Sequence, residues 1–373
     1  MRTVLVCFEY PSLNGGENSF LAALPSLRAA GWMVRAAAPP SGPLAEALGQ
    51  HGVSVTPLLL CDQAGRRLPQ AECRRRLSRT ITADPPAVVH ANSLAMSRLV
   101  GPLARQLGIP SLGHLRDIVG LSRQAVTDLN DNSRLLAVSH ATAEFHVRAG
   151  LDGARTWVLY NGVQLDRFHP AEPTGYLHRE LQLPAASVLL GSIGQVGVRK
   201  GLDVVLQAFA RLAETDADLH WLIVGERHSS KAEARAYELN LRRQTESLGY
   251  RDRVHFLGRR EDVARLLGEL TLLVHAARQE PLGRVLLEAA ARRIPVIATH
   301  VGGTAEIFPS GRAAAWLVAP DEPAALAAAI ATLRADHARR SALASAGEHL
   351  VRRRFSATRC GQLLALHYES LCR

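Results

Sequence analysis

Short apolar runs recur along the chain, separated by stretches in which apolar residues return every three or four positions. Thr3–Phe8, Trp32–Ala38, Val53–Leu60, Val88–His90, Pro110–Leu115 and Leu135–Val138 each read as a short strand. The segments between them read as helices, the first running from a loop at Gly15-Gly16 to about Ala30, where Gly31 stops it. The alternation pauses at Val158–Gly175, where Asn161-Gly162 is a turn signal and Pro170 and Pro173 follow, so the interdomain linker is expected there. A second series then begins with strands at Ser187–Ile193, Leu219–Val224, Val254–Leu257, Leu272–Ala276, Pro295–Ala298 and Trp316–Val318. Helices are expected at Gly201–Glu214, Lys231–Leu248, Arg284–Arg292 and the Ala-rich Pro323–Leu333. Strand and helix in strict alternation predict two doubly wound, Rossmann-like α/β domains with parallel sheets. Ligands of such sheets bind at the C-terminal strand ends, so a cleft between the two is expected to be the binding region. The expected boundaries are residues 1–165 for the first domain, 166–350 for the second, and a C-terminal helix at 351–373 free to pack back on the N-terminal domain.

Length and composition agree with two domains, since 373 residues with 47% hydrophobic and 21% charged positions are enough for two cores and too apolar for disorder. The net charge of +10 comes almost wholly from arginine, because Lys200 and Lys231 are the only lysines. The excess is spread evenly over both halves, which argues against a nucleic-acid binder, whose charge would gather on one face. One basic segment, Arg66–Arg79, reads as a solvated helix face, with contact to an anionic membrane as the sharper alternative. Five scattered cysteines without a CxxC pair point to a reducing, cytoplasmic setting rather than a disulfide frame or zinc site. No window approaches a membrane span, and the first residues do not read as a signal peptide.

Candidate chemistry concentrates at Arg278–Glu288, RQEPLGRVLLE, directly after the strand TLLVHAA. Glu280 falls in the loop and Glu288 in the following helix, with Leu282, Gly283 and Arg284 at its start. Gly283 lets the backbone come close there, and the start of a helix favours an anion. Two carboxylates flanking a phosphate-ready helix end make sense if both grip ligand hydroxyls, Glu280 those of a sugar and Glu288 those of a ribose. Lys200-Gly201 opens another helix after a strand and loop, where a compact cation can meet a diphosphate. No metal site is expected: Asp216-Ala217-Asp218 has bare DxD spacing but sits in a polar turn. No GxSxG or Ser/His/Asp pattern suggests hydrolysis.

Along most of its length the chain resembles the retaining, nucleotide-sugar-dependent glycosyltransferases of the GT-B fold, family 4 (glycosyl transferases group 1). The resemblance lies in Gly15-Gly16-Glu17-Asn18, AVSHATAEFHVRAG (137–150), VLYNGVQLDRFHP (158–170), GSIGQVGVRKGLDVVLQAFARL (191–212), LIVGE (222–226), VHFLGRREDVARLL (254–267) and EPLGRVLLEAAARRIPVIATHVGGTAEI (280–307). It implies that Lys200 and a nearby Arg neutralise the leaving diphosphate. The family's Arg position is occupied by Gln195, which leaves Arg199 to supply the second cation. It also implies that Gly15 and Gly16 approach the phosphate and sugar, that His114 faces the donor sugar with Arg116 and Asp117 beside it, and that Gly302-Gly303 and Glu306 turn behind the nucleotide. The implied co-substrate is a nucleotide-diphosphate sugar, with no metal or other cofactor. The implied acceptor is a saccharide or lipid-linked molecule, handled in the cytoplasm or at its membrane face, in polysaccharide or glycoconjugate synthesis. A GT-B nucleotide-sugar epimerase and a catalytically inactive sugar-nucleotide-binding protein are the alternatives.

Overall fold

The computed structural model describes residues 2–62 and 64–373, which divide into two compact units. The first comprises residues 1–164 and 355–373, the second residues 165–354.

In the first unit seven parallel strands form one sheet in the order β3-β2-β1-β4-β5-β6-β7. They are β1 Arg2–Cys7, β2 Trp32–Ala38, β3 Ser54–Pro57, β4 Val88–Ala91, β5 Ser111–Leu115, β6 Arg134–Ala137 and β7 Thr156–Val158. Helices cover both faces, so the central strands are apolar on both sides. In β1, Val4 and Val6 pack toward Phe20, Leu24 and Tyr368, while Leu5 and Cys7 pack toward Leu77, Ile81 and Leu99. The expected strand Val53–Leu60 shortens to Ser54–Pro57, an edge strand whose residues are mostly exposed. The short strand β7, missed in the sequence, pairs with β6 at the opposite edge.

The second unit repeats the design with six parallel strands in the order β10-β9-β8-β11-β12-β13. These are β8 Val188–Ile193, β9 Leu219–Val224, β10 Val254–Gly258, β11 Leu272–His275, β12 Val296–Thr299 and β13 Trp316–Val318. Every residue of β9, β11 and β12 is buried. Leu219, Trp221, Ile223, Leu272 and Val274 share a core with Val205, Phe209, Leu326 and Ile330 of the helices Leu202–Ala213 and Pro323–Ala335.

In each sheet the strand order reverses once, between β1 and β4 and between β8 and β11. At such a reversal the connecting loops run in opposite directions, and α/β sheets hold ligands at the C-terminal strand ends there.

The chain leaves the first unit after Gln164 and returns at Phe355, and the two passages are joined there. The Val163 N–H donates to the Phe355 carbonyl at 2.8 Å, and the Ala357 N–H to the Val163 carbonyl at 2.9 Å. Gly162 makes this possible, because a Cβ on it would lie about 2.5 Å from Ala357 Cα and 2.6 Å from the Ser356 carbonyl oxygen. The returning helix, Ala357–Leu371, packs along the helix Gly15–Ala29 and places Tyr368 in the core. The break between the last two helices falls at Phe355, four residues after the expected start of a separate C-terminal segment.

Gly162→Ala therefore forces backbone apart. It is expected to cost about 1–3 kcal/mol of stability, as overpacking of a well-filled site does. Chemical denaturation of the full chain measures it, and an unchanged midpoint refutes the close-approach role.

Candidate functional site

In the second unit the loops after β8 and β11 are built against each other. Gly201 has φ 61°, and a Cβ there would run into the carbonyl oxygen of Ala276. The Arg278 N–H donates to the Arg199 carbonyl at 2.9 Å, and the Arg278 side chain ties Val198 and Asp203 to the same place. Lys200 lies in a 3-10 turn, Val198–Lys200, and the helix begins only at Leu202, so the lysine precedes the helix rather than opening it.

These contacts bring Lys200 onto Glu280. Lys200 Nζ donates to Glu280 Oε2 at 2.5 Å, and the Arg199 guanidinium lies 3.8 Å from Oε1. Arg199 also donates to the Gln279 carbonyl at 3.1 Å. The fourth member is His275, the last residue of β11, whose Nε2 is 2.9 Å from Glu280 Oε2. Burial, with Lys200 beside it, lowers the His275 pKa, so the ring is neutral at neutral pH and donates its Nε2–H to the carboxylate. Burial alone would raise the pKa of Glu280. Lys200, the His275 hydrogen bond and Arg199 outweigh it and hold the carboxyl well below the ordinary range. One carboxylate therefore faces two cations and a neutral imidazole, and the cluster keeps a positive surplus.

The segment after Glu280 is held from behind. The Gly303 N–H donates to the Glu280 carbonyl at 2.9 Å. A Cβ on Gly302 would strike that same carbonyl, and one on Gly303 would lie about 2.6 Å from Leu282 Cα. Gly302-Gly303 thus shapes the loop, while Leu282 is buried in it. Gly283, at φ 99°, starts the helix Arg284–Ala291 without a capping side chain. Glu288 is buried one turn in, where Arg284 donates to its Oε1 at 2.6 Å, so the carboxylate has an ionic partner inside its own helix. Gln195 sits half-buried in the loop after β8, beyond Gly194, where a Cβ would press on Lys200 Cε at 3.4 Å. Glu306 falls in the short helix Thr304–Ile307.

In the first unit the strand ends converge on Arg116. Its Nε donates to the Asn92 carbonyl at 2.9 Å, its two Nη atoms to Asn161 Oδ1 and Asn92 Oδ1 at 2.8 Å each, and Nη2 lies 3.2 Å from His114 Nδ1. Gly16, in the first turn of the helix Gly15–Ala29, leaves room for that guanidinium, since a Cβ there would lie 2.9 Å from Arg116 Cδ. The Asn14 N–H donates to Glu17 Oε2 at 3.0 Å at the same turn. His114 is buried, its pKa is driven well below the usual value by burial and Arg116, and its Nε2 has no partner among the described residues. Asn92 Nδ2 is likewise buried and unpartnered. Asp117 is exposed, and its carbonyl, not its carboxylate, meets His146 Nε2 at 2.8 Å.

Sequence reasoning missed His275, Asn92 and Asn161. His275 stands at the end of an apolar strand just ahead of the Glu280 loop, and Asn161 was read only as a turn residue. The basic segment Arg66–Arg79 is less of a charged patch than its composition implies. Arg66 pairs with Asp62, Arg67 with Glu9, Arg74 with Asp128, and Arg75 and Arg76 with Glu72. Among the described residues no cluster of three His, Cys, Asp or Glu is placed to hold a metal ion, and no helix is long and apolar enough to cross a membrane.

Two family models divide the chain as the units do: Glycosyltransferase Family 4 matches residues 13–167 and Glycosyl transferases group 1 matches residues 177–350. The lipopolysaccharide core biosynthesis mannosyltransferase LpsB of Rhizobium meliloti is 28% identical over 240 residues, which cover 64% of this chain and 66% of that protein. A D-inositol 3-phosphate glycosyltransferase of Corynebacterium urealyticum is 31% identical over 250 residues, which cover 65% of this chain and 58% of that protein. The matched stretch thus spans between 58% and 66% of these relatives' own length. Among solved structures, Anabaena HepE in complex with UDP and glucose superposes with a TM-score of 0.86 over 99% of this chain and all of that one, at 24% identity. WaaG, a glycosyltransferase involved in lipopolysaccharide biosynthesis, gives a TM-score of 0.74 over 97% of this chain and 98% of that one, at 21% identity. With both halves matched by family models and the fold shared over nearly the whole chain, the protein belongs to the glycosyl transferases group 1, of family 4 type, with the GT-B fold.

Proposed function

We propose that the protein transfers a sugar from a nucleoside diphosphate donor to an acceptor hydroxyl with the anomeric configuration retained, without a metal ion. The observation that carries this reading is the cluster of Lys200, Arg199, Glu280 and neutral His275 at the strand-order reversal of the second sheet. When the bond from the sugar's anomeric carbon to the diphosphate breaks, negative charge builds on the β-phosphate oxygen. Lys200 is fixed where it receives that charge, and preorganised donors of this kind need little rearrangement during the reaction. Arg199 supplies the second cation, which offsets the glutamine at position 195. Glu280 remains an acceptor for sugar hydroxyls because its partners keep it ionised. The acceptor oxygen attacks the anomeric carbon from the face the diphosphate leaves, and its proton passes to the departing phosphate, so no protein nucleophile is needed. His114, neutral and holding an unpartnered ring nitrogen, is the group of the first unit that the family resemblance aims at the donor sugar. The names of the relatives favour a saccharide or lipid-linked acceptor.

A thermal-shift screen of UDP-glucose, GDP-mannose and ADP-glucose tests the donor, because a ligand of the native state alone raises its melting temperature. One of the three is expected to do so, and the same donor is expected to be turned over slowly, more so when an acceptor saccharide is added. Lys200→Ala is expected to lose about 10²–10³ in turnover, the usual cost of removing one charge-stabilising donor. Full activity in that variant refutes the assignment.

Glu280 also makes a stability prediction. Its pKa in the folded chain lies below its ordinary value of 4.5, so its ionised form stabilises the fold above that value, and the contribution fades as pH falls toward the folded-state pKa. Glu280→Gln is expected to melt lower than the native protein at neutral pH, with the gap narrowing in the acid range below 4.5. A gap that widens on acidification contradicts the pairing.

A further inference from the structure

A buried chain of polar groups in the first unit runs behind His114, and its other two members, His90 and Tyr368, have no part in the reading above. His90, on β4, has its Nδ1 2.6 Å from the Tyr368 hydroxyl and its Nε2 3.2 Å from His114 Nδ1. Tyr368 and His90 are fully buried and His114 is 3% exposed, so the bonds that link the three are shielded from bulk water. The rings of His90 and His114 are inclined by only 26°, with centroids 5.4 Å apart.

The donors and acceptors can be arranged in one consistent way. A guanidinium only donates, so Arg116 Nη2, 3.2 Å from His114 Nδ1, requires a lone pair on that nitrogen. His90 Nε2 faces the same lone pair and must therefore carry a proton. A neutral imidazole holds a single N–H, which leaves His90 Nδ1 as an acceptor. Its partner is the Tyr368 O–H. Burial and Arg116 lower the pKa of His90 to about 3, and burial raises that of Tyr368, so both groups keep these neutral forms across the physiological range. The reverse order, with His90 protonated on Nδ1, sets two nitrogen lone pairs against each other.

We propose that Tyr368 and His90, acting with Arg116, are positioning residues that lock His114 in the tautomer bearing its proton on Nε2, the buried ring nitrogen left without a partner. The proposal rests on the reading that His114 meets the donor, and it specifies what His114 offers: one hydrogen-bond donor directed at a sugar oxygen. One end of the lock lies in the last helix of the chain. Ala357–Leu371 returns to the first unit at the Val163 bridge, and its Tyr368 reaches β4 through the core.

The test is ¹⁵N-histidine NMR of the full-length protein, with the His114 and His90 signals assigned by His114→Ala and His90→Ala variants. In the native protein His114 is expected to show a protonated Nε2 and an unprotonated Nδ1. Tyr368→Phe keeps the ring and removes only the hydroxyl. It leaves His90 Nδ1 without its donor and is expected to shift the His90 Nδ1 signal and, through the His90 Nε2–H, that of His114 Nδ1, a paired change that loss of packing alone does not produce. A native His114 protonated on Nδ1 overturns the proposal without any variant. Unshifted His90 and His114 signals in a folded Tyr368→Phe protein overturn it as well. The expected tautomer, together with no thermal shift from UDP-glucose, GDP-mannose or ADP-glucose, upholds the lock and removes the donor reading instead.

Discussion

A carboxylate cannot be taken out of water at tolerable cost unless charges and hydrogen bonds replace the lost solvent, and Glu280 imposes that condition on the strand ends of the second unit. Lys200 and His275 both bind Oε2, and Arg199 stands near Oε1. To bring them there the loops after β8 and β11 must touch, and they touch through Gly201 against the Ala276 carbonyl and through the Arg278–Arg199 backbone bond. Gly302 and Gly303 close the same loop from behind. Several glycines that look interchangeable in the sequence thus serve one purpose, which is to let backbone approach a buried acid and its cations.

The first unit solves a related problem with a cation at the centre. Arg116 is enclosed by Asn92, Asn161 and His114, all of which offer lone pairs, and by Gly16, which offers space. Asn92 accepts with both its carbonyl and its side-chain oxygen, which turns its amide nitrogen away from Arg116 and leaves it unpartnered. Such unfilled hydrogen-bonding capacity in a packed interior is uncommon. Here it falls just past β4, at the strand ends of a doubly wound sheet, the edge at which such sheets bind ligands.

Most of this organisation was readable in advance where it depends on local pattern. Apolar runs of strand length, broken by helical periodicity, identify parallel strands because burial on both faces leaves no polar alternation. The edge strands fell short of this rule: β3 is shorter than its apolar run, and β7, with an exposed Trp157, carries too weak a signal to stand out. Glu280, Lys200 and Gly16 were legible as candidates because a loop acid, a rare lysine and a double glycine each stand out against their neighbours.

Partnership was a different matter. The chain order placed Lys200 and Glu280 eighty residues apart, and nothing local said that one would neutralise the other. Glu288 looked equally free for a ligand until Arg284 proved close enough to bind it. The arginines of 66–79 looked like an open basic face, yet acids from three different parts of the chain meet them. Nothing in the sequence marked His275 or Tyr368 out from the residues around them. Residue type and spacing settle which groups lie near strand ends, since periodicity is a property of neighbouring residues. Only the folded backbone decides which distant groups share a few ångströms, and with them the charge of Glu280 and the tautomer of His114, because electrostatics and hydrogen bonding depend on distance in space and not along the chain.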